Sequence, residues 1–330
     1  MKEKVFITRE IPKIGIELLK KYFQVEVNSL NRDLTQFELA RKLRDASAVV
    51  SMLSNRFDRD FIKELKGLKV ISNYAVGYNN IDVEAATEKG IIVTNTPGVL
   101  TDATADMTFA LLLAAARRIP EGDRFMRAGK FKGWSPLLML GYDVAGKTIG
   151  IIGAGRIGTA VAARAKGFAM KILYYSRKKS EVIEELGGRF VSLNKLLMNS
   201  DFVSINVPLN DETRGMIGRK ELSLMKKTSI LVNTARGEVV DENALIEYLI
   251  KNKIAAAGLD VYAGEPRINP KFKRLGNVVL TPHVGSGTFE TRSKMAELAA
   301  RNVIAALKGK HPPSVVNPEV MLRKKLNKTA

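Results

Sequence analysis

Cysteine is absent from the 330-residue chain, which excludes disulfides, thiolate nucleophiles and cysteine-ligated metals at the outset. Histidine is almost absent. His283 and His311 are the two copies, so imidazole chemistry falls to one of them, a multi-histidine metal centre is excluded, and no metal is expected. Trp134 is the single tryptophan. No apolar run reaches bilayer length, and Met1 to Ile7 is a short charged strand-like run without signal-peptide anatomy. The expectation is a cytoplasmic protein with no membrane partner. Acidic side chains are in deficit, 34 against 53 basic ones, for a net charge of +19. Such a surplus suits nucleic acid, anionic lipid or anionic small molecules. Here the basic residues are spread along the whole chain and are dense only at Arg177-Lys178-Lys179 and Arg323-Lys324-Lys325. The surplus therefore reads as a solvated surface, and no nucleic-acid partner is expected. Glutamine is confined to Gln24 and Gln36; with abundant lysine and no cysteine, this fits a heat-adapted protein.

What is present is alternation. Short β-branched runs (Val5–Thr8, Ala48–Ser51, Val70–Asn73, Ile91–Thr94) are separated by amphipathic segments such as Lys13–Tyr22 and Asp58–Leu65. A second series runs through Thr148–Ile152, Lys171–Tyr175, Phe202–Val207, Ser229–Asn233, Ala256–Leu259 and Val278–Thr281. Strands joined by helix-length crossovers form parallel sheets covered on both faces. The length suits two domains. The fold class expected is α/β with two doubly wound parallel sheets: a flavodoxin-like substrate domain over 1–100 plus 288–330, and a Rossmann cofactor domain over 101–287. A long, mostly apolar helix over Thr101–Arg118, stopped by Pro120, opens the second domain, and a helix over Phe289–Leu307 leads into the tail.

Gly153-Ala154-Gly155-Arg156-Ile157-Gly158 matches the dinucleotide pattern G-x-G-x-x-G, and it follows a strand and opens a helix as that mechanism demands. Gly153 permits the turn, Gly155 lets a pyrophosphate approach, and Gly158 lets helix and strand close up. An acidic residue ending the next strand would bind a ribose 2′-hydroxyl. The chain instead has Ser176, Arg177, Lys178 and Lys179, a hydroxyl and three cations suited to a 2′-phosphate. NADP(H) is favoured and NAD(H) remains possible.

Hydride exchange between a nicotinamide and a carbonyl needs a proton donor for the carbonyl oxygen and a group that tunes the donor, and an anionic substrate needs a cation. Arg236, Glu265 and His283 each stand just past one of three successive strands, where parallel sheets bind ligands. A capping arginine, an exposed loop glutamate and a satisfied loop histidine are the plainer readings of the three in isolation. His311, beside Pro312 and Pro313, reads as a surface residue.

Taken in order, the glycine turn at 153–158, Asn233-Thr-Ala-Arg-Gly237, Gly258-Leu-Asp260, Gly264-Glu-Pro266 and Thr281-Pro-His283 resemble the D-isomer-specific 2-hydroxyacid dehydrogenase family over essentially the whole chain. The resemblance implies that Arg236 binds and polarises the oxo acid, that His283 is the acid/base, that Glu265 tunes it, and that Asp260 bonds the nicotinamide carboxamide. It further implies that the N–H groups of Val76 and Gly77, in Asn73-Tyr-Ala-Val-Gly77, hold the substrate carboxylate, although a plain glycine turn is also open. Leu53 is expected beside the substrate. Further cofactor contacts are expected from Arg156, Ile157, Val207, Pro208, Thr234, Ala235 and Gly285. Within the family, Ser176-Arg177, Phe131-Lys-Gly-Trp134-Ser-Pro-Leu137 and Pro312-Pro-Ser-Val-Val-Asn317 resemble glyoxylate/hydroxypyruvate reductases. In those enzymes the tryptophan reaches a neighbouring subunit's pocket, so a homodimer is expected, with a core position the alternative for Trp134. Tyr74 departs from the small residue of many relatives and leaves substrate size open. The competing functions are a dehydrogenase of D-lactate or another D-2-hydroxy acid and, more distantly, a dinucleotide-sensing binding protein, which would need no proton donor.

Overall fold

Parallel pairing runs through both sheets of the molecule, and a parallel neighbour can be reached only by a crossover long enough to hold a helix. The computed structural model describes residues 2–322, and the basic run Arg323-Lys324-Lys325 lies outside the described residues. The chain up to Leu100 and the chain from Gly287 onward form one unit; Thr101–Ser286 form the other.

The first unit runs β1 (Lys4–Ile7), α1 (Lys13–Lys20), β2 (Gln24–Val27), α2 (Gln36–Leu43), β3 (Ala48–Ser51), α3 (Arg59–Glu64), β4 (Val70–Asn73), α4 (Val83–Glu88) and β5 (Ile92–Thr94). Its sheet order, β2-β1-β3-β4-β5, is the flavodoxin-like doubly wound arrangement. β3 and β4 are buried along their whole length, as central strands covered on both faces must be. The edge strand β2 has no long apolar run to announce it: Gln-Val-Glu-Val alternates and stays partly exposed, because an edge has one wet side. Three helices begin at side-chain caps, Thr35, Asp58 and Asp82, which satisfy first-turn N–H groups.

The second unit runs α5 (Thr101–Ala116), α6 (Ile119–Arg127), β6 (Thr148–Ile152), α7 (Arg156–Gly167), β7 (Lys171–Tyr175), α8 (Glu181–Glu185), β8 (Arg189–Phe190), α9 (Leu193–Asn199), β9 (Phe202–Ile205), α10 (Arg219–Ser223), β10 (Ile230–Asn233), α11 (Glu242–Ile250), β11 (Ala256–Leu259) and β12 (Val278–Leu280). The sheet order is β12-β11-β10-β9-β6-β7-β8, the Rossmann arrangement with one added strand. One face packs Val203, Leu231 and Leu259 against Leu197, Leu245 and Leu249; the other packs Ile149, Ile151 and Val232 against Phe109, Leu112 and Val161. The expected single helix to Arg118 is divided. α5 ends at Ala116, Arg118 takes a left-handed φ of 54°, and Pro120 lies in the first turn of α6. A first-turn proline forfeits no intrahelical bond, so Pro120 starts a helix here instead of stopping one. Among the described residues no helix is long and apolar enough to cross a membrane.

α12 (Phe289–Leu307) returns to the first unit and packs on α1 and β4. Beyond it, Val315 bridges Thr94 in antiparallel sense, and the Val316 N–H donates to Val93 O at 2.8 Å. Asn317, fully buried, accepts from the Val93 N–H at 2.8 Å and donates to Ile91 O and Thr87 Oγ1 at 2.9 Å each. Asn317→Ala leaves the Val93 N–H and the Ile91 carbonyl buried without that partner. It is expected to lower stability by about 2–3 kcal/mol, read as the shift in midpoint of denaturant unfolding; a shift within error would disprove the anchoring role.

Candidate active site

The groups expected to carry chemistry in the second unit all stand at the carboxyl ends of its strands. Gly153 follows β6 with a φ of 102°, a region that a side chain would strain, and a Cβ there would stand 2.7 Å from Asn206 O. At Gly158 a Cβ would come within 1.9 Å of Gly153 O, so the crossing of turn and helix admits hydrogen alone. Gly155 is the N-cap of α7, where open space surrounds the position of its missing Cβ and no side chain caps the helix. Most other helices, α8, α9, α11 and α12 among them, take a Ser, Thr or Asp cap. The first turn of α7 thus presents its N–H groups to an anion, with Arg156 exposed and Ile157 half-buried beside them. Past β7, Ser176 Oγ bonds Lys178 O, and Arg177, Lys178 and Lys179 are exposed. These features fit a dinucleotide with its pyrophosphate on α7. Val207 and Pro208 follow β9. Thr234 follows β10 and is tied by its hydroxyl to Thr108 Oγ1 at 2.8 Å, while the Ala235 N–H donates to Asn233 Oδ1 at 3.0 Å.

His283 and Glu265 meet: Nδ1 lies 2.7 Å from Oε2, and both side chains are about one-third exposed, 32% and 33%. The other carboxylate oxygen, Oε1, accepts the Tyr262 N–H at 2.9 Å. Burial, the largest influence on Glu265, pushes its pKa up. The His283 hydrogen bond and charge, the Tyr262 N–H and the Arg236 charge together outweigh it and hold the carboxyl below its ordinary value. With Nδ1 occupied by a carboxylate, Nε2 is the ring nitrogen left to exchange a proton with a ligand. Arg236 follows β10 in extended conformation, with Nη1 on Ala235 O at 2.7 Å and its carbonyl held by Asn233 Nδ2 at 2.9 Å. Burial lowers its pKa against the raising charges of Glu265 and Glu238. The Arg236 loop lies so close to the Glu265 loop that a Cβ on Gly237 would fall 1.9 Å from Tyr262 C.

His283 itself is in the left-handed region, φ 53°, and the strain is held by Asp260. That residue is 1% exposed. Its Oδ1 accepts from Thr281 Oγ1 and the Val284 N–H at 2.6 and 2.8 Å, its Oδ2 accepts from the Gly285 N–H at 2.7 Å, and its carbonyl accepts from the His283 N–H at 2.9 Å. The carboxylate expected to face a carboxamide is here engaged with the segment that carries the imidazole. Two contributors were not legible in the sequence. Tyr262 donates its hydroxyl toward Leu259 O and Thr281 O at 3.0 and 2.8 Å, and burial pushes its pKa up to about 12. Glu242 accepts the Ala263 N–H at 2.7 Å. The nearest sequence signal is the aromatic residue between Asp260 and Glu265.

In the first unit, Leu53 follows β3, and Val76 and Gly77 follow β4, all partly exposed. Tyr74 is buried, its hydroxyl donates to Arg292 O at 2.6 Å, and burial pushes its pKa up to about 12; the ring is a packing element of this unit. Trp134 is 84% exposed, which removes the core reading. His311 is exposed and bonds Pro312 O at 2.9 Å.

The family model for the D-isomer specific 2-hydroxyacid dehydrogenase NAD binding domain matches residues 109–285. The chain belongs to the D-isomer specific 2-hydroxyacid dehydrogenase family. It is 56% identical over 330 residues to a protein of Thermococcus gammatolerans named glyoxylate reductase, covering 98% of this chain and 99% of the relative. A glyoxylate reductase of Pyrococcus horikoshii is 55% identical, with 97% and 98% covered. A crystal structure of a Thermus thermophilus protein superposes with a TM-score of 0.89 at 44% identity, covering 95% of this chain and 99% of that one. The NADPH-dependent glyoxylate/hydroxypyruvate reductase of Sinorhizobium meliloti, solved with NADP and malonate, superposes with a TM-score of 0.86 at 30% identity, covering 96% and 97%. This member of the family is an oxidoreductase of 2-hydroxy acids that uses a nicotinamide dinucleotide.

Proposed function

We propose that the enzyme reduces glyoxylate, with hydroxypyruvate the alternative oxo acid, and that it prefers NADPH. The observation that carries the reading is the 2.7 Å pair of His283 Nδ1 and Glu265 Oε2 beside Arg236. The relatives' names supply the substrate class.

The dinucleotide, when bound, supplies the hydride. The Arg236 guanidinium draws charge toward the oxo oxygen of the acid. In the first unit, by resemblance to the family, the Val76 and Gly77 N–H groups are proposed as carboxylate ligands. His283 Nε2–H donates a proton to the oxygen as it becomes a hydroxyl. The neutral ring that results regains its proton from solvent, to which it is partly open. Glu265, whose pKa is held below the ordinary value, engages Nδ1 and so turns Nε2 toward the ligand. The Tyr262 hydroxyl is committed to the Leu259 and Thr281 carbonyls, so it does not compete as the acid.

The NADPH preference rests on Ser176, Arg177 and Lys178 beyond β7, with no carboxylate at that strand end. A homodimer is the second part of the reading. Between 119 and 142, Ile119, Met126, Trp134, Leu137 and Leu140 are 55, 57, 84, 78 and 61% exposed, and α6 buries no residue of its own. So many bare apolar side chains in one segment mark an interface.

Glu265→Gln weakens the bond that holds His283 Nδ1 and is expected to cut kcat by about a hundredfold with the NADPH KM little changed, measured as NADPH oxidation; a wild-type kcat would refute the orienting role. Arg177→Ala is expected to raise the KM for NADPH by about tenfold with that for NADH little changed, and equal effects on both cofactors would remove the 2′-phosphate assignment. Light scattering is expected to return twice the 36.4 kDa chain mass, falling toward the single chain in Trp134→Glu combined with Leu137→Glu; a wild-type monomer contradicts the dimer.

A further inference from the structure

The carboxylate-binding role given to Val76 and Gly77 requires their N–H groups to point one way, and the first unit contains a device that turns them. The Ala75 carbonyl accepts the Thr96 N–H at 2.8 Å, and the Val76 carbonyl accepts Asn95 Nδ2 at 2.8 Å. A trans peptide is planar, with its C=O and N–H opposed. Each bond therefore fixes the N–H of the next residue: Thr96 sets Val76, and Asn95 sets Gly77. Both N–H groups face away from the 95–96 segment, and among the described residues neither has a hydrogen-bond partner. Two successive N–H groups turned to one side form an anion-binding concavity.

Asn95 is itself held. Its carbonyl accepts Asn302 Nδ2 at 3.0 Å and Ser314 Oγ at 2.6 Å, and the Ser314 N–H donates to Asn302 Oδ1 at 3.1 Å. Asn302 is fully buried on α12. Ser314 stands where the tail returns to β5. The Gly77 carbonyl is separately taken by Asn73 Nδ2 at 2.8 Å, so the loop cannot rotate as one piece without breaking several bonds.

We propose that Asn95, seated by Asn302 and Ser314, is a positioning residue for the substrate carboxylate: its amide aims the Gly77 N–H at the acid. The proposal rests on the glyoxylate reductase reading. It makes the C-terminal tail part of substrate recognition, acting through Ser314 and Asn95 without touching the ligand.

The test compares wild type, Asn95→Asp and Ser314→Ala as full-length enzymes saturated with NADPH, with glyoxylate as substrate and oxamate as a non-reacting competitor. Aspartate fills the space of asparagine but cannot donate to the Val76 carbonyl. Asn95→Asp is expected to raise the glyoxylate KM and the oxamate inhibition constant by about tenfold, with kcat changed far less and NADPH affinity unchanged. Ser314→Ala removes one of two donors to the Asn95 carbonyl and is expected to raise both by about two- to threefold. A purely space-filling role predicts wild-type constants for Asn95→Asp, and that result overturns the proposal. So does a parallel loss of kcat and NADPH affinity, or an unfolded Asn95→Asp accompanied by wild-type constants in Ser314→Ala. Wild-type enzyme that fails to oxidise NADPH with glyoxylate or hydroxypyruvate refutes the functional reading instead, and this inference with it.

Discussion

A buried carboxylate that accepts several donors from one short segment is the constraint on which the placement of His283 depends. Asp260 draws in Thr281, Val284 and Gly285 and thereby bends the chain past β12 into a turn that no extended strand end would adopt. The bend places His283 in a left-handed conformation that costs of order 1–3 kcal/mol. In return the imidazole leaves the strand end in one direction, toward Glu265. Were the Asp260 carboxylate unsatisfied, its burial would be severely unfavourable. The segment and the acid hold each other in place.

Electrostatics extend that geometry. Glu265 lies between a cation it orients, His283, and a cation it partly neutralises, Arg236. Tyr262 binds the two loops into one body through carbonyls at 259 and 281, so Glu265 and His283 move together. In the first unit the same logic is carried by neutral groups: asparagine amides turn peptide planes, and the N–H groups so aimed provide a partial positive charge without a titrating side chain.

Much of this was readable in advance. The parallel sheets follow from β-branched runs at helix-length spacing, and the glycine turn declares itself by standing between a strand and a helix. The edge strand β2 and the two-residue β8 left no run to detect, because half-exposed edges need no unbroken apolar sequence. The break at Arg118 carries no unambiguous signal, because a proline that would end a helix from its interior begins one from the first turn. The support network of Tyr262, Glu242, Asn95 and Asn302 was invisible, since each residue is ordinary in its local window and acts through partners up to hundreds of residues away.

The amino-acid order alone determined the fold class, the glycine turn between strand and helix, and which arginine, glutamate and histidine stand just past strands, because these depend on local periodicity. Tertiary structure decided the pairing of His283 with Glu265, the engagement of Asp260 with the histidine segment instead of open space, and the exposure of Trp134. Those outcomes depend on which loops the sheet order brings side by side and on which carbonyls and N–H groups are left needing partners once the strands have paired. No reading of neighbours along the chain contains that information.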